Sequence, residues 1–121
     1  MSRKLAVWGR QFNLQVGYDT YGGAEVTDAQ KETLKSFLEK APELLEDPAP
    51  VKKYLRKRDP DHIKEDIDNI FYYVIPKRIF VEQRKGVVDL MCDYRYDPED
   101  GLALMFENGK LKKICAEIEI G

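Results

Sequence analysis

The chain has a single histidine, His62, and only two cysteines, Cys92 and Cys115, in 121 residues. There is no second histidine and no CxxC or Cys/His spacing, so no zinc site is expected. His62 has no Ser or Cys beside it with which to build a nucleophile–base pair, and it reads as a surface or capping residue. No apolar run approaches the roughly 20 residues that a spanning helix needs. Met1–Trp8 carries Arg3 and Lys4 but lacks the apolar stretch of a signal peptide. The expectation is a cytoplasmic protein without membrane attachment. The only glycine pair, Gly22-Gly23, fits neither a dinucleotide fingerprint nor a P-loop. A net charge of −2 provides no general basic field for nucleic acid. No cofactor is expected.

What is present is a folding composition. The chain is 43% hydrophobic and 35% charged, which sets it apart from disordered chains, and its length suits one domain spanning residues 1–121. Residues 4–8 and 12–18 read as strands. In the second, Phe12, Leu14, Val16 and Tyr18 alternate with polar residues or glycine. Gly9-Arg10 is the expected turn between them. Thr27 and Gln30 form a capping-box signature, and Leu34, Phe37, Leu38 and Ala41 repeat at helical spacing behind it, predicting a helix to about Lys40. A second helix is expected over 51–58, with Pro50 near its start. A third is expected from Asp61, with Ile63, Ile67, Ile70, Phe71 and Val74 as its apolar stripe; it ends either within the β-prone run Phe71-Tyr72-Tyr73-Val74-Ile75 or at Pro76.

The last third reads as four strands, Arg78–Gln83, Val87–Tyr96, Leu102–Glu107 and Leu111–Ile120. Lys85-Gly86, Asp97-Pro98-Glu99-Asp100-Gly101 and Asn108-Gly109 are the expected turns, the last being the strongest hairpin signal in the chain. The expected fold is α+β: an antiparallel sheet made of an N-terminal hairpin and a C-terminal four-strand meander, with about three helices packed on one face. Strand parity puts Cys92 on the apolar face, with Leu90 and Tyr94. It puts Cys115 on the polar face with Lys113 and Glu117. The two sulfurs should therefore point opposite ways and form no disulfide.

Three groupings invite a functional reading. The carboxylates Asp93, Asp97, Glu99 and Asp100 suggest a metal-dependent or acid–base site, but their spacing is not that of a calcium loop, and a proline–glycine turn accounts for them. The basic residues Lys52, Lys53, Arg56, Lys57 and Arg58 suggest phosphate contacts. Acidic residues flank them, however, and only Tyr54 is interleaved, so a solvated helix face is preferred and nucleic acid is not the expected ligand. The polar face of the C-terminal sheet carries Asp89, Asp93, Arg95, Lys113 and Glu117, with Met91 and Met105 at the same parity. These five charged residues are the expected binding residues for a protein partner. An open sheet edge also invites pairing with a second copy of the chain.

The stretch from Val88 to Leu111 carries a cysteine–aspartate pair (Cys92-Asp93), Asp97-Pro98-Glu99, Gly101-Leu102-Ala103, Phe106 and an Asn108-Gly109 turn. With Trp8-Gly9-Arg10-x-Phe12-x-Leu14 it resembles small bacterial domains of unknown function. The likeness covers both β ends and not the helical middle, and Asp100 stands where such domains often have histidine. Some of these domains resemble immunity partners of polymorphic toxins. The resemblance implies a non-catalytic protein-binding domain of the bacterial cytoplasm, and it carries no catalytic residue over. The rival reading is a small metal-dependent enzyme or ligand-binding domain built on the carboxylates around Asp93–Asp100.

Overall fold

The computed structural model describes residues 1–116. Strands β1 (Ser2–Val7) and β2 (Arg10–Tyr18) form the N-terminal hairpin. Its turn is Trp8-Gly9, one residue earlier than expected, with φ of +50° and +85°, as a two-residue hairpin requires. Tertiary contacts hold a tryptophan in this conformation. Trp8 is buried, its amide donates to the Leu45 carbonyl at 2.7 Å, and its ring lies 6.0 Å from Phe71.

Helix α1 (Asp28–Leu44) starts at the expected capping box. Thr27 Oγ1 accepts from the Gln30 amide at 3.1 Å, and Gln30 Oε1 accepts from the Thr27 amide at 2.9 Å. Gln30 is also buried, and its Nε2 donates to the Asp19 carbonyl at 3.0 Å. One side chain thus caps the helix and ties it to the end of β2. The helix passes the expected stop and contains Pro42. Proline forfeits one backbone bond, but the Leu45 amide closes on the Ala41 carbonyl at 2.9 Å and Leu45 is buried. Helix α2 (Ala49–Arg58) buries Val51 and Leu55.

The third expected helix does not form. Residues 59–69 run without a regular element, and a single 3-10 turn follows at Ile70–Tyr72. Ile63, Ile67 and Ile70 are all buried, so the apolar residues face inward from an irregular backbone. Polar side chains compete with helix here: the Asn69 side chain accepts from the Phe71 amide at 3.1 Å. The β-prone residues that follow join the sheet instead.

Strands β3 (Val74–Val81), β4 (Val87–Tyr94), β5 (Asp97–Glu107) and β6 (Lys110–Cys115) complete a six-stranded sheet in the order β1-β2-β3-β4-β5-β6. The β2–β3 pair is parallel and the others are antiparallel, which corrects the wholly antiparallel expectation. Both helices lie in the long crossover that a parallel pair needs. Pro76, expected as a helix stop, lies inside β3 opposite Cys92. It is tolerated because β2 reaches β3 only from Arg78 onward, so at Pro76 the strand is locally an edge and its missing donor goes unused.

The expected turn at Asp97–Gly101 is also corrected. The chain reverses at Arg95-Tyr96, closed by the Tyr94–Asp97 pair, and β5 already begins at Asp97. Cys92 next pairs with Leu102, so residues 98–101 form an irregular bulge opposite Asp93. Asp97 Oδ1 accepts from the Asp100 amide at 3.1 Å, and Gly101 takes φ +57°. The turn chemistry is present, but it builds a bulge. Asn108-Gly109 forms its hairpin with φ of +50° and +79°.

Alternate residues of the strands, among them Val7, Leu14, Ile79, Leu90 and Leu104, pack with Leu34, Phe37, Leu45, Val51 and Leu55 of the helical segment in one core. On the opposite parity Met91, Ala103 and Cys115 form a separate small cluster against Phe80. No helical residue joins that cluster among the described residues, so this is the helix-free face. Cys92 and Cys115 lie on opposite faces, as parity predicts, and both are thiols. Cys115 is buried, although the polar face was its expected place. Among the described residues no helix is long and apolar enough to cross a membrane.

Candidate functional site

The expected binding residues do not form one polar surface. Asp89 is wholly buried, at 0% exposure. Asp93 is exposed beside Lys77 at 3.2 Å, Arg95 is exposed in the β4–β5 turn, and Lys113 is exposed opposite Met105 on β6. Glu117 lies outside the described residues. Asp89 and Lys113 belong to one place on the helix-free face, and Asp93 and Arg95 to another at the end of the sheet.

The first place is a carboxyl pair. Asp89 stands between Phe80 of β3 and Met105 of β5. Glu82, two residues beyond Phe80 and buried, brings its carboxyl against that of Asp89. Arg84 donates to Glu82 Oε1 through Nε at 2.9 Å and Nη2 at 2.6 Å. Glu82 Oε2 and both Asp89 oxygens are buried and receive no donor from the described residues. Uncompensated buried carboxylates are costly. Burial first, then the hydrogen bond and charge of Glu82, push the Asp89 carboxyl up to about 9, against weaker opposing pulls from Arg84 and Lys113. A proton kept on Asp89 makes that carboxyl a hydrogen-bond donor toward Glu82. Spacing alone could not reveal this pair, because Glu82 falls just past the end of β3 and its partner is brought by sheet register.

The second place is aromatic. Tyr72, in the 3-10 turn, is 54% exposed. The Arg95 guanidinium lies 4.2 Å from the centre of its ring, and Tyr73 meets it edge-on at 5.0 Å. The contacts continue from Tyr73 to Tyr96 at 6.0 Å, from Tyr96 to a stacked His62 at 4.4 Å, and from Tyr96 to Tyr94 at 5.9 Å. The Arg95 amide donates to the Tyr73 carbonyl at 2.8 Å, which fixes the turn against the 3-10 segment. Tyr72, Tyr73, Ile75, Asp93, Arg95 and Pro98 line a groove of about 340 Å³. A helix end was the expected setting for Tyr72 and Tyr73. The β-prone run Phe71-Tyr72-Tyr73-Val74-Ile75, already a reason to end that helix early, is the signal that places them beside the sheet.

An ion network supports this end from below. Tyr94 donates its hydroxyl to Asp59 Oδ2 at 2.6 Å, and Arg58 Nη2 reaches Asp97 Oδ2 at 2.5 Å with its guanidinium 5.0 Å from the Tyr94 ring centre. Burial lowers the Arg58 pKa, but the hydrogen bond to Asp97 and nearby negative charge outweigh it and hold the guanidinium above its ordinary value. Burial and then the Asp59 hydrogen bond raise the Tyr94 phenol. Arg56 pairs with Asp66 at 2.5 Å. Part of the basic run therefore neutralises the fold's own acids. The acids expected as a metal site are spread in the same way: Asp97 is bound to Arg58, Asp93 lies beside Lys77, and Glu99 is exposed. Among the described residues no group of three or more His, Cys, Asp or Glu side chains is placed to hold a metal ion.

No family model, curated protein or solved structure matches this chain.

Proposed function

We propose that the chain is a non-catalytic protein-binding domain and that its contact surface is the groove of Tyr72, Tyr73 and Arg95. The observation that carries this reading is Tyr72, a half-exposed aromatic ring held from two sides by Arg95 and Tyr73. Tyrosine and arginine are the residue types that concentrate binding energy at protein interfaces. A ring already fixed by its neighbours loses little side-chain entropy when a partner covers it. Asp93 and Lys77 at the border supply charge of both signs, suited to a polar rim. The resemblance of the β ends to immunity-type domains makes a toxin domain the first partner to try.

The test is recovery of the partner with tagged chains expressed in the native cell. Wild type and Tyr21→Ala should capture the same protein, while Tyr72→Ala and Arg95→Ala should each lose roughly 30-fold in affinity for it, as removal of an interface anchor does. Tyr21 is the fitting control because it is a more exposed tyrosine, at 87%, outside the groove. Equal capture by all four chains would show that the groove is not the contact surface.

A further inference from the structure

A second groove lies on the helix side, where α1 crosses the β3–β4 and β5–β6 turns. It encloses about 510 Å³, within the range of small-molecule sites, and is more apolar than polar inside. Phe37, Val88 and Phe106 form its floor; all three are buried, and the two rings are 5.4 Å apart. Lys40 stands at one part of the rim and Lys85 at another. Neither lysine has an acidic partner within ion-pair distance among the described residues. Among the described residues Glu32 is the one carboxylate on the rim. It lies two turns of α1 before Lys40, next to Thr33, whose hydroxyl accepts the Gly86 amide at 3.2 Å. Glu32 therefore sits at the Gly86 end, and Lys40 is left as the cation at the Gly109 end.

The walls are fixed before any ligand arrives. The Asn108 amide donates to the Gly86 carbonyl at 3.0 Å, which joins the two turns. Thr33 then ties them to α1. Gly109 has no side chain, and Lys40 occupies the space instead: a Cβ at Gly109 would lie 2.7 Å from Lys40 Nζ. The missing side chain is what lets the lysine lie over the turn, and a walled apolar floor with a lysine over its Gly109 end has a definite chemical complement.

We infer that this groove binds a small amphipathic monoanion, with an aromatic or branched apolar body on Phe37 and Phe106 and a carboxylate at Lys40. This site is separate from the Tyr72 groove and stands or falls without it.

The test is an amide NMR titration of the whole chain with 4-phenylbutyrate, and with 4-phenylbutanol as the neutral probe of the same body. The carboxylate should give saturable shifts at the Gly86, Asn108 and Gly109 amides. It should bind roughly fivefold more tightly than the alcohol, the upper end of what an exposed ion pair supplies. Lys40→Gln should remove that advantage and leave alcohol binding unchanged, while Lys57→Gln on α2 should change neither. Three results would each overturn the inference: no saturable shift at these amides up to about 10 mM, equal binding of acid and alcohol, or a Lys40→Gln chain that keeps its preference for the acid. Both lysines are exposed, so the variants should fold, and an unchanged amide spectrum away from the groove checks this.

Discussion

The two faces of one sheet deal with their acids in opposite ways. On the helix-covered side Asp59 and Asp97 meet Arg58 and the Tyr94 hydroxyl, and their charge is answered by a cation and a donor. On the helix-free side Asp89 meets another acid, and the pair is answered by one proton and by Arg84 at its margin. The first arrangement fixes geometry. It locks the irregular segment after α2 to the start of β5 and supports Tyr94, on which Tyr96 and then Tyr73 and Tyr72 rest. The second costs stability whenever the proton leaves. One sheet thus carries a rigid support for a binding groove and a titrating weak point, and which acid does which is decided by the partner that register brings to it.

The largest expected effect is on the titrating side. Asp89 has its carboxyl raised from an ordinary 3.8 to about 9, so the folded state holds a proton that the unfolded chain releases. Its stabilising contribution is fully present below about pH 4 and is lost as pH rises toward the folded value. Asp89→Asn keeps the shape of the protonated acid and cannot ionise. In chemical denaturation it should be more stable than wild type by roughly 3 kcal/mol at pH 8 and nearly equal to it at pH 4. A constant difference between the two chains across that range would mean that Asp89 is not the titrating group.

The next effect belongs to the partnered side. Arg58→Met keeps the length of the side chain and removes the charge, leaving Asp97 and Asp59 without their cation. A loss of about 2 kcal/mol is expected, somewhat below that of a fully buried pair because these groups are partly exposed. Unlike Asp89→Asn, this variant should also weaken partner binding, since the support under the tyrosines is loosened. Tyr94→Phe removes one hydroxyl from Asp59 and should cost about 1 kcal/mol, read from the same denaturation curves. The smallest change in stability should come from Tyr72→Ala, within about 0.5 kcal/mol of wild type, although its effect on partner binding is the largest. Substantial unfolding by Tyr72→Ala would make the ring a structural element and sink its role as a free contact.

Much of the fold was legible in the sequence, but the contrast between the two faces was not. The capping box at Thr27 and Gln30, the Asn108-Gly109 hairpin and the opposite faces of Cys92 and Cys115 follow from short-range rules, and they hold. The helix expected from Asp61 fails because periodicity reports which residues face inward and not the backbone that takes them there: Ile63, Ile67 and Ile70 are buried from an irregular chain. The bulge at Asp97–Gly101 carries turn residues, but Tyr94 and Asp97 pair ahead of it and move the reversal to Arg95-Tyr96. Of the expected binding residues, Asp93 and Arg95 line the aromatic groove, because parity and turn position brought them to one end. Asp89 looked solvated because alternation shows only which face a residue takes. Its burial depends on Glu82, Met105 and their neighbours, which only the register of three strands assembles.

The central claim is that the Tyr72 groove is where this domain meets its partner. The most direct measurement places a photo-crosslinking p-benzoylphenylalanine at position 72 in one chain and at position 21 in another, with irradiation in the native cell. The account predicts one discrete crosslinked protein from position 72, suppressed by Arg95→Ala in the same chain, and no such product from position 21. The same product from both positions, or one from position 72 that Arg95→Ala leaves at full yield, would contradict it.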